Sequence, residues 1–218
     1  MYNVSRNNFY ENQKSSTVFT PQGVSRFIFD VVASKIDKTW PVFDPCVGQG
    51  SLLHPFDDAG FKTVGLDIVD HGYKNTIIHN FITYDAADLA TPALVIANPP
   101  FNIDPTTKVI ISEHYGRRPL LPEVWLQRII ALFGKDIPII LFTPYGMRLN
   151  QSLSSKRWQK FTNGDYPKIS SIIALPKDIY SDVMFHSEIL IFNIAGLAPH
   201  YFYQPKRKAA PKHPQSIP

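Results

Sequence analysis

An α/β fold with a largely parallel sheet follows from three observations. Short apolar runs alternate along the chain with helix-compatible segments, the pattern of βαβ units. One run, Pro41-Val42-Phe43, feeds into Asp44-Pro45-Cys46-Val47-Gly48-Gln49-Gly50, which reads as strand, glycine turn and helix start. Another, Leu94-Val95-Ile96-Ala97, stops at Asn98-Pro99-Pro100. Two prolines lack the N–H groups that a central strand needs, so they fix the chain just beyond its carboxyl end. That is where open α/β sheets bind ligands.

The chain of 218 residues suits one domain with a substantial core, and 44% apolar with 18% charged residues is an ordinary globular balance. The first twenty residues are polar, with no apolar segment of a secretion signal, and no run approaches membrane-spanning length. The one cysteine, Cys46, excludes an internal disulfide. A soluble, cytoplasmic protein is the expectation. The seven histidines are dispersed and no Cys/His cluster has zinc spacing, so no metal is expected. A formal charge of +4 permits a polyanionic partner without requiring one.

In chain order, residues 1–17 are polar and read as a flexible arm. Thr20 is placed as a helix cap with Pro21 at the first helical position. Val24, Phe27, Ile28, Val31 and Val32 then recur at helical spacing and give one apolar face. In the Asp44 turn, Gly48 and Gly50 remove side chains where a ligand approaches the backbone. A carboxylate at that strand tip repels pyrophosphate and suits a cationic amino group. The segment has neither G-x-G-x-x-G spacing nor a P-loop lysine, and taken alone it also fits an ordinary strand–helix turn. Cys46 reads as a small filler rather than a nucleophile. A helix over about 51–59 precedes the strand 62–67, which ends on Asp67. A carboxylate at that tip can accept both hydroxyls of a ribose, with Asp70 as the neighbouring alternative. A short strand near 75–78 leads into Asn80-Phe81.

Beyond Asn98-Pro99-Pro100-Phe101, residues 102–121 form a long polar connection, readable as a lid, a nucleic-acid contact or a short helix around Thr107–His114. Pro122 opens a helix whose apolar face is Leu126, Ile129, Ile130 and Phe133, and Gly134 ends it. Ile137–Phe142 is a buried strand, and 143–165 a loop with one helix near Ser155–Phe161. Arg117, Arg118, Arg148, Lys156 and Arg157 are candidate phosphate contacts, with a solvated basic surface as the alternative. Residues 169–176 and 187–193 close the fold as a hairpin. The domain is placed at 18–195, and 196–218 reads as a basic, proline-rich tail.

Asp-Pro-x-x-Gly-x-Gly followed by Asn-Pro-Pro-Phe resembles the class I S-adenosylmethionine-dependent amino-methyltransferases, and most of all the N6-adenine DNA methyltransferases. The likeness covers roughly residues 17–193. It implies a Rossmann-like, seven-stranded mixed sheet with an antiparallel last strand, and S-adenosylmethionine as cofactor. It assigns cofactor binding to Phe19, Thr20, Pro21, Asp44, Pro45, Cys46, Gly48, Asp67, Asn80 and Phe81, and the target base to Asn98, Pro99, Pro100 and Phe101. Where the family commonly has Asp-Phe, this chain has Asn80-Phe81, so the expected contact to the cofactor's adenine is uncharged.

The chemistry suits the motif. An exocyclic amine on an aromatic ring is a poor nucleophile because its lone pair is delocalised. The Asn98 side-chain oxygen and the Pro99 carbonyl can each accept one N–H and aim the lone pair at a sulfonium methyl. Phe101 offers a face on which a flipped base stacks. The reaction expected is methylation of adenine N6 in DNA, as in restriction-modification. The same motif also serves enzymes acting on RNA bases or a protein glutamine amide, and an inactive nucleic-acid-binding subunit is a further alternative. The chain has no room for a target-recognition region of ordinary size, which leaves that task to the basic insertions, a partner subunit or a second copy, or else implies a relaxed sequence preference.

Overall fold

The computed structural model describes residues 9–10, 18–100, 103, 105–116, 120–149, 151–180 and 183–205. Its strands are β1 (Phe9–Tyr10), β2 (Val42–Asp44), β3 (Thr63–Asp67), β4 (Thr76–Ile78), β5 (Leu94–Ala97), β6 (Ile139–Pro144), β7 (Ile169–Ala174), β8 (Val183–Met184), β9 (Ser187–Phe192) and β10 (His200–Phe202). Its helices are α1 (Gln22–Val32), α2 (His54–Asp58), α3 (Pro105–Tyr115), α4 (Leu121–Phe133), α5 (Gly146–Leu149) and α6 (Lys156–Thr162).

Eight strands form one sheet in the order β10-β7-β9-β6-β5-β2-β3-β4. From β4 to β6 all neighbours are parallel. β9 then lies antiparallel between β6 and β7, completing the expected hairpin. Successive residues of a strand face opposite sides, and the core divides accordingly. Val42, Leu94, Ile96, Ile140, Phe142, Ile189 and Ile191 pack with Val24, Ile28 and Val32 of α1. Phe43, Val95, Ala97, Leu141, Leu190 and Phe192 pack with Ile111 of α3 and with Trp125, Leu126 and Ile129 of α4. Strands apolar on both faces are what helices on both faces require.

Four expectations need correction. The sheet has eight strands among the described residues, not seven, because His200–Phe202 pairs in parallel with β7. Tyr201 and Tyr203 then pack edge-on against Phe27 of α1, so the folded part passes residue 195. Three residues between prolines carry no period that marks them as a strand. Second, Pro21 is the helix N-cap residue, which frees Thr20 for the site described below. Third, the helix expected as one alternative around Thr107–His114 is present but extends over Pro105–Tyr115, with Thr107 and Ile111 buried. Fourth, Phe9–Tyr10, within the segment expected as an arm, pairs antiparallel with β8. Among the described residues no helix is long and apolar enough to cross a membrane. Phe101, Arg117, Arg118 and the tail from residue 206 lie outside the described residues.

Candidate active site

The site lies at the carboxyl ends of β2, β3, β5 and β6. β2 delivers Asp44, which is 1% exposed. The next turn is held onto β3: Val47 N donates to the Leu66 carbonyl at 3.0 Å, and Gly48 N to Asp67 Oδ2 at 2.8 Å. A β-carbon on Gly48 would stand 3.0 Å from the Phe19 ring, so that ring rests directly on the turn. Asp67 therefore does two things, closing the glycine loop with one oxygen and marking the strand tip. Beside it, Ile68 and Val69 leave about half of their apolar surface exposed.

Asp44 Oδ1 accepts the Cys46 N–H at 3.0 Å. Burial nevertheless pushes its pKa up to about 7; the Cys46 hydrogen bonds oppose that rise, and the nearby Asp67 charge adds to it. Among the described residues no cationic side chain pairs with Asp44. A buried carboxylate without a counter-charge is a fitting partner for a bound ammonium group. The Cys46 thiol is pushed well up, by burial first and then by the Asp44 and Asp67 charges, which leaves it inert as a nucleophile.

β5 delivers Asn98. Its Nδ2 donates to Thr20 Oγ1 at 3.0 Å, which orients the carboxamide and leaves Oδ1 to accept. Pro99 is buried and Pro100 half-buried beside it. The Tyr180 hydroxyl also lies against Asn98, and burial pushes its pKa up, so the phenol stays protonated. Asn98, Pro99 and Pro100 border a half-open pocket of about 230 Å3, lined elsewhere by residues of α4 and its N-cap, β6 and β9 together with Tyr180 and Phe185. Its polar lining is confined to Asn98, Thr143, Tyr180 and Ser187. A pocket below the roughly 300–1,000 Å3 usual for drug-sized ligands admits a single small ring.

The structure thus brings Phe19, Thr20, Asp44, Pro45, Cys46, Gly48, Asp67, Asn98, Pro99 and Pro100 to one end of the sheet. It engages other predicted residues differently. Asn80 Oδ1 accepts from Ile82 N at 3.0 Å and its Nδ2 donates to Thr107 Oγ1 at 2.7 Å, so the side chain anchors α3 to the turn after β4. Phe81 is 3% exposed and packs between Phe43 and Trp125 in the core. Arg148 makes a two-pronged pair with the buried Glu188, at 3.1 and 2.9 Å. Arg157 holds Glu123 at 2.6 Å. Both arginines, expected as candidate phosphate contacts, are thus engaged in ion pairs, Arg148 with a carboxylate that is buried and needs a counter-charge. Lys156 remains exposed. Tyr180, Phe185, Thr143 and Ser187 were missed as pocket residues; a hydroxyl within an apolar strand was the available signal.

Five parallel strands, an antiparallel strand wedged beside the last of them, and a site at the strand tips define the class I S-adenosylmethionine-dependent methyltransferase fold. The N-6 DNA Methylase family matches residues 1–67. Three solved structures share the fold. The methyltransferase subunit of a type I restriction-modification system from Streptococcus thermophilus is 15% identical with a TM-score of 0.62, over 87% of this chain and 48% of that one. A Listeria monocytogenes protein described as a class I S-adenosylmethionine-dependent methyltransferase is 15% identical with a TM-score of 0.61, over 87% and 64%. The M protein of the EcoKI type I restriction enzyme is 16% identical with a TM-score of 0.57, over 84% and 45%. The chain therefore spans between about half and two thirds of the length of these structures. No curated protein sequence matches it.

Proposed function

We propose that this chain transfers a methyl group from S-adenosylmethionine to the exocyclic N6 amine of adenine in DNA. One observation carries the reading: the Asn98 carboxamide is oriented by Thr20 at the edge of a ring-sized pocket. The match of residues 1–67 to the N-6 DNA Methylase family supports DNA as the polymer.

S-adenosylmethionine supplies an electrophilic methyl group on a sulfonium. Asp44 is the counter-charge for its amino group, Phe19, Pro45, Cys46 and Gly48 form the surrounding wall, and Asp67 takes the ribose hydroxyls. Asn80 and Phe81 brace the strand tip underneath. On the substrate side, Asn98 Oδ1 and the Pro99 carbonyl each accept one N–H of the target amine. Those two bonds localise the nitrogen lone pair and hold it in line for attack. The pocket walls exclude water around the reacting amine.

A duplex base reaches such a pocket only by leaving the stack. Of the predicted phosphate contacts, Lys156 alone among the described residues has no ion-pair partner, and a partner subunit or a second copy is proposed to share in the DNA recognition.

Transfer of label from S-adenosylmethionine to unmethylated DNA, matched RNA and a protein lysate tests the reading. Label confined to DNA is expected. Label confined to RNA or protein would replace it with an RNA base or glutamine substrate.

A further inference from the structure

A second cleft stands beside the candidate active site, with the first turn of α4 between the two. Leu121 and Pro122 line the ring-sized pocket, and the next two residues, Glu123 and Val124, line a cleft of about 460 Å3. The end of α3, and α6 with the turn before it, also line this cleft. Among the described residues lining it, Glu123 alone is acidic, and its charge is already matched. Arg157 Nε and the Tyr166 hydroxyl donate to its two oxygens, each at 2.7 Å. Lys156 and Lys160 are left as an excess of positive charge. They stand four residues apart on α6, a spacing at which like charges are neighbours and destabilise a helix. Among the described residues neither has a carboxylate partner. Lys160 is half-buried, and its Nζ lies 5.3 Å from the centre of the Tyr166 ring, which holds the cation without neutralising it. Two unmatched ammonium groups on one helix of a cleft fit an anion that bridges them.

We infer that this cleft takes the backbone of the target DNA strand, with Lys156 and Lys160 on a phosphate close to the flipped nucleotide. The inference rests on the methyl-transfer reading above. A nucleotide whose base fills the pocket still carries a phosphate on each side. One turn of helix rises about 5.4 Å, and a duplex strand rises about 3.4 Å per nucleotide. A strand that crosses the first turn of α4 therefore meets the cleft within about two nucleotides of the target. Lysine binds a phosphate as a point charge. Such contacts fix the register of a strand and carry no sequence information, so the cleft positions the DNA and leaves sequence reading to other groups. The helix turn shared with the base pocket favours this polymer over an acidic peptide.

The test titrates DNA binding against salt for wild type, Lys156→Gln, Lys160→Gln and the double variant. The control is Lys62→Gln, an exposed lysine just before β3, at the end of the sheet opposite the site. Each single cleft variant is expected to bind about five- to tenfold more weakly at about 0.1 M salt, and to lower the slope of log affinity against log salt by about 0.9. The double variant should lower it by about twice that, and Lys62→Gln should match wild type. Cofactor affinity and Tm should be unchanged in all of them. A second measurement places a single uncharged methylphosphonate at each phosphate around the target adenine in turn. At one position it should cost the wild type about the same factor and the double variant nothing further, since the same contact is already gone. Cleft variants with the wild-type slope, an equal loss in Lys62→Gln, or a double variant still sensitive at every methylphosphonate position would overturn this inference alone. A wild-type protein that binds cofactor yet methylates no DNA would overturn the underlying reading, and this inference with it.

Discussion

The Thr20 hydroxyl accepts a hydrogen bond from the Asn98 carboxamide at 3.0 Å, across 78 residues of chain. Thr20 follows Phe19, whose ring rests on the Gly48 turn. One short segment therefore touches both halves of the site, the glycine loop and the amide at the tip of β5. An Asn side chain presents its oxygen to the pocket only if its nitrogen is held elsewhere, and Thr20 holds it.

Thr20→Val keeps the shape and removes the acceptor. It should lower the rate of methyl transfer by about three- to tenfold, the worth of one neutral hydrogen bond, with KM for DNA little changed. Thr20→Ser should restore most of the rate. Steady-state kinetics on both variants checks this, and a loss confined to Thr20→Ser would show that the methyl group, not the hydroxyl, matters.

Asp44 makes stability and binding depend on pH in opposite ways. Its folded pKa is pushed up to about 7, against roughly 3.9 in an unfolded chain. Between those values the folded protein holds a proton that the unfolded chain has released. Stability should therefore fall as pH rises from about 4 to 7 and level off above 7. Asp44→Asn should flatten that slope in denaturation curves taken at pH 5 and pH 8. A bound ammonium group favours the ionised carboxylate, so cofactor affinity should weaken as pH drops below 7, by up to about tenfold per unit. Isothermal titration across pH 6–8 measures it, and Asp44→Asn should bind poorly at every pH.

Gly50 cannot be replaced without cost. It has φ 80°, and a β-carbon there would come within 2.2 Å of the Tyr73 ring. That ring is held by its hydroxyl, 2.7 Å from Thr63 Oγ1 and donating to Asp57 at 2.9 Å. Gly50→Ala should destabilise the fold by about 2–4 kcal/mol, backbone strain plus overpacking. Gly60 has a similar φ of 78° and open space around it, so Gly60→Ala isolates the backbone part, about 1 kcal/mol. Urea denaturation separates the two.

Arg148 and Lys156 should behave as opposites. Arg148→Ala strands the carboxylate of Glu188, which is 3% exposed, and should cost about 2–3 kcal/mol of stability; the arginine is itself one third exposed, so the loss falls short of a fully buried pair's. Its affinity for DNA below the unfolding temperature should be unchanged. Lys156→Ala should leave stability alone, and weaken DNA binding while reducing the salt slope by about one if it contacts a phosphate. Denaturation and salt-dependent binding titrations on both variants check the pair.

The Asp44 turn and Asn98-Pro99-Pro100 are legible in the sequence because each interrupts an apolar run with residues that no strand interior needs. The alternation of apolar runs and helical faces likewise indicates the layered sheet and its closing hairpin. What is not legible depends on partners distant in sequence. Arg148 and Arg157 read as surface charge until β9 and α4 bring Glu188 and Glu123 to them, 40 and 34 residues away. Thr143 and Ser187 look like ordinary strand-end residues; only the pairing of β6 with β9 sets both residues at the end of the sheet beside the pocket. β10 has no apolar period of its own, and its place is set by β7 and the tyrosines that pack on α1.

The most direct test is the nucleoside composition of unmethylated DNA digested after incubation with the protein and labelled S-adenosylmethionine, beside the same reaction with Asn98→Ala. The account predicts labelled N6-methyladenine with the wild type and its near-complete loss with the variant, although both bind cofactor equally. Label on another nucleoside, or transfer undiminished by Asn98→Ala, would contradict it.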